Sequence, residues 1–211
     1  MPCKVRFTAC ADYHLGGLRT IQHNEARDTM AGFMREAGYS PVEVEPILQP
    51  LTGEKFKLKT ANKTEEARSD IKCLSFWKTM RQAFFDIKVI SPYARSYVDY
   101  KPEALFKKAE QDQMREYRAR ILEVEHADFT PLVFTCAGGI APRSQMVLKR
   151  LAERISEKQG LNCSQVAGWL RAKISFSILE TTILCIRATR VGRFKDDTNI
   201  ALTVSSTKMD Y

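Results

Sequence analysis

The 211-residue chain lacks the marks of a secreted or membrane protein. No apolar stretch follows the N-terminus, MPCKVRFTACADYH, so no signal peptide is expected there. The most apolar segment, residues 174–188, is interrupted by Glu180, Arg187 and several hydroxyls. It is too short and too polar to span a bilayer, which excludes a membrane-spanning reading. The cysteines (Cys3, Cys10, Cys73, Cys136, Cys163 and Cys185) include no Cys-x-x-Cys pair. Several lie in apolar runs, as in KCLSF, VFTCAG and ILCIRA, which fits reduced, buried thiols better than a disulfide framework. These absences predict an intracellular, reducing location. Cys3, Cys10 and His14 are soft metal ligands at irregular spacing with no clear fourth partner, so they make at best a weak zinc site. No internal repeat is visible.

What is present is ordinary globular composition, 44% hydrophobic and 27% charged, with a formal net charge of +8. The length suits one domain with appendages and a real core. The positive excess favours an anionic partner, nucleic acid first and an anionic membrane surface second, although plain solubility explains it equally well.

The periodicities predict a mixed α/β domain at 23–190, between an N-terminal segment (1–22) and a polar tail (191–211). Gly16-Gly17 marks a turn. Residues 23–37 read as a helix with Asn24 as N-cap, Met30, Phe33, Met34 and Ala37 on its buried stripe, and Gly38 closing it. Glu25 would then lie in the first turn, where a carboxylate complements the helix dipole. Residues 42–48 read as a strand edged by Pro46, and 56–59 as a short edge strand. Strands follow at 71–76 and 83–90, joined by a connection carrying Lys78 and Arg81. Pro102 opens a charged helix to about residue 124. A strand at 129–135, a turn at Ala137-Gly138-Gly139 and helices at 144–159, 164–170 and 171–190 complete the chain.

The costly residues sit in the two central strands. Asp70 heads the first, and Asp86-Ile87-Lys88 interrupts the second. An ionised group removed from water costs several kcal/mol unless it is paired or bound to a metal. Side chains alternate along a strand, so Asp86 and Lys88 share one face, about 7 Å apart, with Phe84. Asp70 reaches the same side if the register permits. Two converging carboxylates repel each other, and a divalent cation resolves this. Hard oxygen ligands favour Mg²⁺ or Mn²⁺, with the Ile87 carbonyl as a neutral third ligand. Such a metal lowers the pKa of a bound water and polarises a phosphoryl oxygen, while Lys88 steers the attack or holds developing negative charge. The bland alternative is an exposed Asp86–Lys88 pair on an edge strand, worth well under ~1 kcal/mol. Gln113 and Tyr117, four apart, share a face of the following helix.

Asp70…Asp86-Ile87-Lys88 resembles the PD-(D/E)xK pattern of restriction-endonuclease-like nucleases, and Gln113-x-x-x-Tyr117 resembles an accessory motif of their exonuclease branch. The blocks HNEARD (23–28), VEVEPILQPLTGE (42–54), ARSDI (67–71), AFFDIKV (83–89) and FTPLVFTCAGG (129–139) resemble, in that order, the segment that follows the reverse transcriptase in animal retroelement polyproteins. The likeness runs from about residue 16 to 190. It implies an αβββαβ core with a central mixed sheet and extra C-terminal helices. It implies a metal-dependent nuclear endonuclease that nicks DNA, with RNA as the other candidate substrate and a reverse transcriptase domain as neighbour in the parent element. Asp70 and Asp86 would be metal ligands, Lys88 the catalytic lysine and Glu25 an accessory ligand or orienting acid. Relatives of this kind often carry a Cys/His knuckle before the first block, where this chain has only Cys3, Cys10 and His14. Two rival readings stand beside the enzyme: a nuclease-fold module that binds nucleic acid without turnover, and a basic scaffold for a protein partner, marked by an exposed apolar face on the 174–186 helix.

Overall fold

The computed structural model describes residues 16–49, 68–94, 97 and 99–191. Cys3, Cys10 and His14, the edge strand expected at 56–59 and the tail beyond Val191 lie outside them. The described chain is α/β, with four helices and one four-stranded mixed sheet. Its order is α1 (Gly16–Glu36), β1 (Val42–Val44), β2 (Ile71–Leu74), β3 (Gln82–Ile90), α2 (Pro102–Glu123), β4 (Asp128–Thr135), α3 (Pro142–Gln159) and α4 (Cys163–Val191). Strands lie side by side in the order β1-β2-β3-β4. β2 is antiparallel to both neighbours, while β3 and β4 run parallel, from Ala83↔Asp128 to Ile90↔Thr135. The parallel pair needs a crossover, and α2 supplies it.

Alternation along β3 decides the layering. Ala83, Phe85 and Ile87 join the main core with Met30, Phe33 and Met34 of α1, Val147, Leu148 and Leu151 of α3, and Leu170, Ile174 and Ile178 of α4. On the opposite face Phe84 packs with Ile121 and Phe129, and Ile90 with Leu105, Ala109 and Val133. These two clusters sit beneath α2 and are separate, because Asp86 and Lys88 lie between Phe84 and Ile90 on that face. β4 is covered on both faces, which explains its nearly unbroken apolar run. Val133 exchanges both backbone hydrogen bonds with the Ser144 hydroxyl on the strand's outer edge. Pro131, two residues earlier, turns its missing N–H to that same edge, where no ladder bond is lost.

Several boundaries differ from expectation, each for a local reason. The helix expected at 23–37 starts at Gly16, so Gly16-Gly17 is its first turn and the domain boundary expected at residue 23 falls inside α1. Asn24 is therefore not an N-cap, and its side chain accepts from Arg27 Nη1 at 3.2 Å. Gly38 closes the helix as expected, at φ 83°, where a side chain would strain the backbone. The strand at 42–48 ends at Val44, because Glu45 takes φ 52° and Pro46 follows. Arg81 is not a free surface cation but pairs with Asp128 at 3.3 Å. Met146 of α3 is 61% exposed. The helices expected at 164–170 and 171–190 are one 29-residue helix. No proline interrupts it, and among the described residues nothing approaches Gly168 closely enough to break it. Among the described residues no helix is long and apolar enough to cross a membrane.

The Phe76 ring, fully buried, lies 4.9 Å from each of the Tyr39, Trp77 and Phe85 rings. Truncating it should leave a cavity at the junction of α1, the β2–β3 connection and the sheet. Phe76→Ala should cost about 3–5 kcal/mol in urea unfolding, measured as a lower midpoint at unchanged slope; a loss under ~1 kcal/mol would show that this ring cluster is not part of the core.

Candidate active site

The site begins where two strands part. The β2–β3 ladder ends at Ile71↔Phe85. One residue further on, side chains replace the ladder. The Ser69 hydroxyl donates to the Phe85 carbonyl at 3.1 Å, and Asp70 Oδ2 accepts the Ile87 N–H at 2.5 Å. The Asp70 carbonyl meanwhile accepts from Glu45 N at 2.9 Å, holding this end of β2 to the chain beyond β1. A charged acceptor on a backbone donor is stronger than the neutral ladder bond it replaces. The fork is thus built by Asp70, which is partly buried in it.

Asp70 Oδ2 takes a second donor, His23 Nε2 of α1, at 3.0 Å. Asp86 lies on the α2 face of β3. Gln113 of α2 donates its Nε2 to Asp86 Oδ2 at 2.5 Å and to the Asp86 carbonyl at 3.2 Å. Gln113 is buried, and its Oε1 has no partner among the described residues. One turn on, the Tyr117 ring packs 5.6 Å from Phe129. The expectation that Gln113 and Tyr117 share a face therefore holds, and both stand beside Asp86. Lys88 follows on the same face of β3, half-buried, and among the described residues forms no ion pair with either carboxylate.

The charges act on one another. Burial, then the Asp70 charge, push the Asp86 carboxyl up to about 8, against the opposing effects of Gln113 and His23. The hydrogen bond to Asp70 raises His23, burial opposes it, and the charges of Asp70 and Asp86 add to the rise. Burial raises the Tyr117 phenol, with Asp86 the next cause. Asp70 and Asp86 thus sense each other across the fork. At each carboxylate the hydrogen bonds from described residues go to Oδ2, leaving Oδ1 without a donor. The Ile87 carbonyl points to the same side of β3 as its N–H, toward Asp70. These oxygens suit a proton or a hard cation. Among the described residues no group of three or more His, Cys, Asp and Glu side chains is placed to hold a metal, so any cation here would lean on neutral oxygens.

Glu25 is not in this cluster. It is exposed, lies in the third turn of α1, and accepts from Ser177 of α4 at 3.1 Å. Residues two apart on a helix point nearly opposite ways, so α1 can turn only one of His23 and Glu25 toward the fork, and it turns His23. Compared with known proteins, the chain matches no family model and no curated sequence. The site therefore stands on its own geometry. Sequence reasoning missed His23 and Ser69, although both lie in blocks it singled out. The usable signal for His23 is its rarity, one of three histidines in the chain. Ser69 carries none, because its role exists only where the ladder fails. Another buried acid, Glu110, serves α3: its Oε1 accepts Arg143 N at 3.0 Å, a carboxylate at a helix N-terminus.

Asp86 holds its proton more tightly in the folded chain than in the unfolded one. Its contribution is present below about pH 4, the ordinary aspartate value, and is lost as pH rises toward about 8. His23 contributes in the same sense, fully below its ordinary value of about 6.5 and lost as pH passes its raised value. Melting temperature in the presence of a chelator should therefore fall from about pH 5 to about pH 8. Asp86→Asn should flatten that fall and melt higher than wild type at the alkaline end; parallel melting curves for the two proteins would contradict the assignment.

Proposed function

We propose that this chain is a metal-dependent DNA endonuclease of the restriction-endonuclease-like class, in which the sheet with its flanking α1 and α2 is the αβββαβ core. The observation that carries the reading is the pairing of Asp70 and Asp86 at the β2–β3 fork, with Lys88 on the face of Asp86. Asp70 Oδ1, Asp86 Oδ1 and the Ile87 carbonyl would hold Mg²⁺ or Mn²⁺, a hard oxygen set in keeping with those ions. An ion held there would supply a water acidic enough to attack and a positive charge against the phosphoryl oxygens.

The protein's own groups do the positioning. Asp70 is fixed by Ile87 N–H and His23, so its free oxygen has little freedom. Gln113 fixes Asp86 in the same way from α2. Lys88 stands where an ammonium can stabilise charge developing on a phosphodiester. His23, with raised proton affinity, keeps a donor on Asp70 Oδ2 near neutral pH and leaves Oδ1 as the outward acceptor. Support for a phosphate partner comes from a cavity of about 360 Å³ lined by Lys78, Arg118 and Arg143 with Trp77, against one carboxylate, Asp128, which pairs with Arg81. The cavity adjoins the Tyr117–Phe129 ring pair that borders Asp86. The net charge of +8 agrees in sign. A nuclear role beside a reverse transcriptase belongs to the same proposal and rests on the sequence resemblance alone.

The second reading, a nucleic-acid-binding module without turnover, has one observation in its favour. Both Oδ2 atoms already serve protein hydrogen bonds, so each carboxylate at the fork also has a structural use.

Plasmid nicking separates the two. Wild type should nick supercoiled DNA with Mg²⁺ or Mn²⁺. Asp86→Ala should abolish nicking, and Lys88→Ala should reduce it by about 10²–10³-fold, with salt-sensitive DNA binding kept in both. Nicking that survives Asp86→Ala sinks the enzyme reading; tight, salt-sensitive binding by a wild type that never nicks establishes the module.

A further inference from the structure

α4 is apolar on two opposite sides. Val166, Leu170, Ile174, Ile178 and Cys185 are buried against the domain. On the outer side Phe176 is 70% exposed and Ile183 48%, and Trp169, 45% exposed, borders that side with its ring packed 5.8 Å from Phe33 of α1. These three recur every seven residues, and Ala172, Leu179 and Ile186 follow each by three. That is the 3.5-residue period of a coiled-coil seam, laid along the outer side of a helix whose inner side already serves the core. Lys173, Glu180 and Arg187 flank the seam at one heptad position, successively seven apart. The Lys173 ammonium lies 4.7 Å from the Trp169 ring centre and 5.7 Å from that of Phe33.

Charge selects the occupant. In a parallel pair, Lys173, Glu180 and Arg187 would face Gly168, Ser175 and Thr182 of the other helix, none of them charged. In an antiparallel pair of identical helices, Phe176 meets Leu179, Trp169 meets Ile186 and Ile183 meets Ala172. Each Lys173 then lies beside the Glu180 of the other copy, twice over by the two-fold axis. The sequence is self-complementary in this one orientation. We propose that α4 is a self-association helix, through which two copies of this chain pair antiparallel along Trp169, Phe176 and Ile183. The proposal stands apart from the nuclease reading, since no residue of the β2–β3 fork takes part in it.

Sedimentation equilibrium of the full chain tests it. The wild type should dimerise in the micromolar range. Phe176→Glu should be monomeric with an unchanged far-ultraviolet circular dichroism spectrum, since this side chain is outside the core. Lys173→Glu and Glu180→Lys should each weaken the dimer by about tenfold, and the two together should restore it. A wild type that stays monomeric to about 100 μM overturns self-association. So does a dimer indifferent to Phe176→Glu. A dimer that both single charge reversals leave unchanged overturns the antiparallel register.

Discussion

The structure depends on one acceptor atom. Asp70 Oδ2 takes the Ile87 N–H and the His23 Nε2 together. The first bond ends the β2–β3 ladder without leaving a backbone donor unmet, and the second ties α1 to the fork. A buried, unmet donor would cost ~1–3 kcal/mol, so a side chain without an acceptor at residue 70 could not end the ladder as cheaply. Beside this fork, Asp86 and Lys88 project from the α2 face of β3.

That placement has consequences on the α2 side of the sheet. α2 spans two small apolar clusters, one around Phe84 and Ile121, the other around Ile90 and Leu105. Between them it must meet a carboxylate and an ammonium. It does so with Gln113, an amide that donates to Asp86 while leaving its own carbonyl oxygen unmatched among the described residues. An unmatched buried acceptor is the kind of cost a fold keeps at a functional site. The large core lies on the other face, where α1, α3 and α4 cover an unbroken apolar surface. Stability and chemistry are thus divided between the two faces of one strand, β3.

α4 extends that division. Its inner stripe completes the main core, and its outer stripe leaves aromatic and aliphatic side chains in water. A helix apolar on opposite sides is ordinarily covered on both. The outer stripe is therefore a second demand placed on the molecule, distinct from the charge pair at the fork.

The sequence by itself determined the order of elements and the composition of the site's centre. The period-2 pattern of 83–90 put Asp86 and Lys88 on one face, Pro102 started α2 where its lost N–H costs nothing, and the four-residue step put Gln113 beside Tyr117. All of these are local regularities, fixed by strand and helix geometry within a few residues. The tertiary structure alone decided which side chain of α1 reaches Asp70. His23 and Glu25 differ in sequence by two positions and in direction by half a helical turn, and the phase of α1 is set by packing Met30, Phe33 and Met34 against a sheet and a helix more than a hundred residues away. The same holds for Ser69 and for the fork itself, since a strand's register with its neighbour cannot be read from either strand alone. The joining of 164–170 and 171–190 into one helix was likewise settled by burial, because two apolar stripes laid on one helix blur the single period by which a sequence announces it.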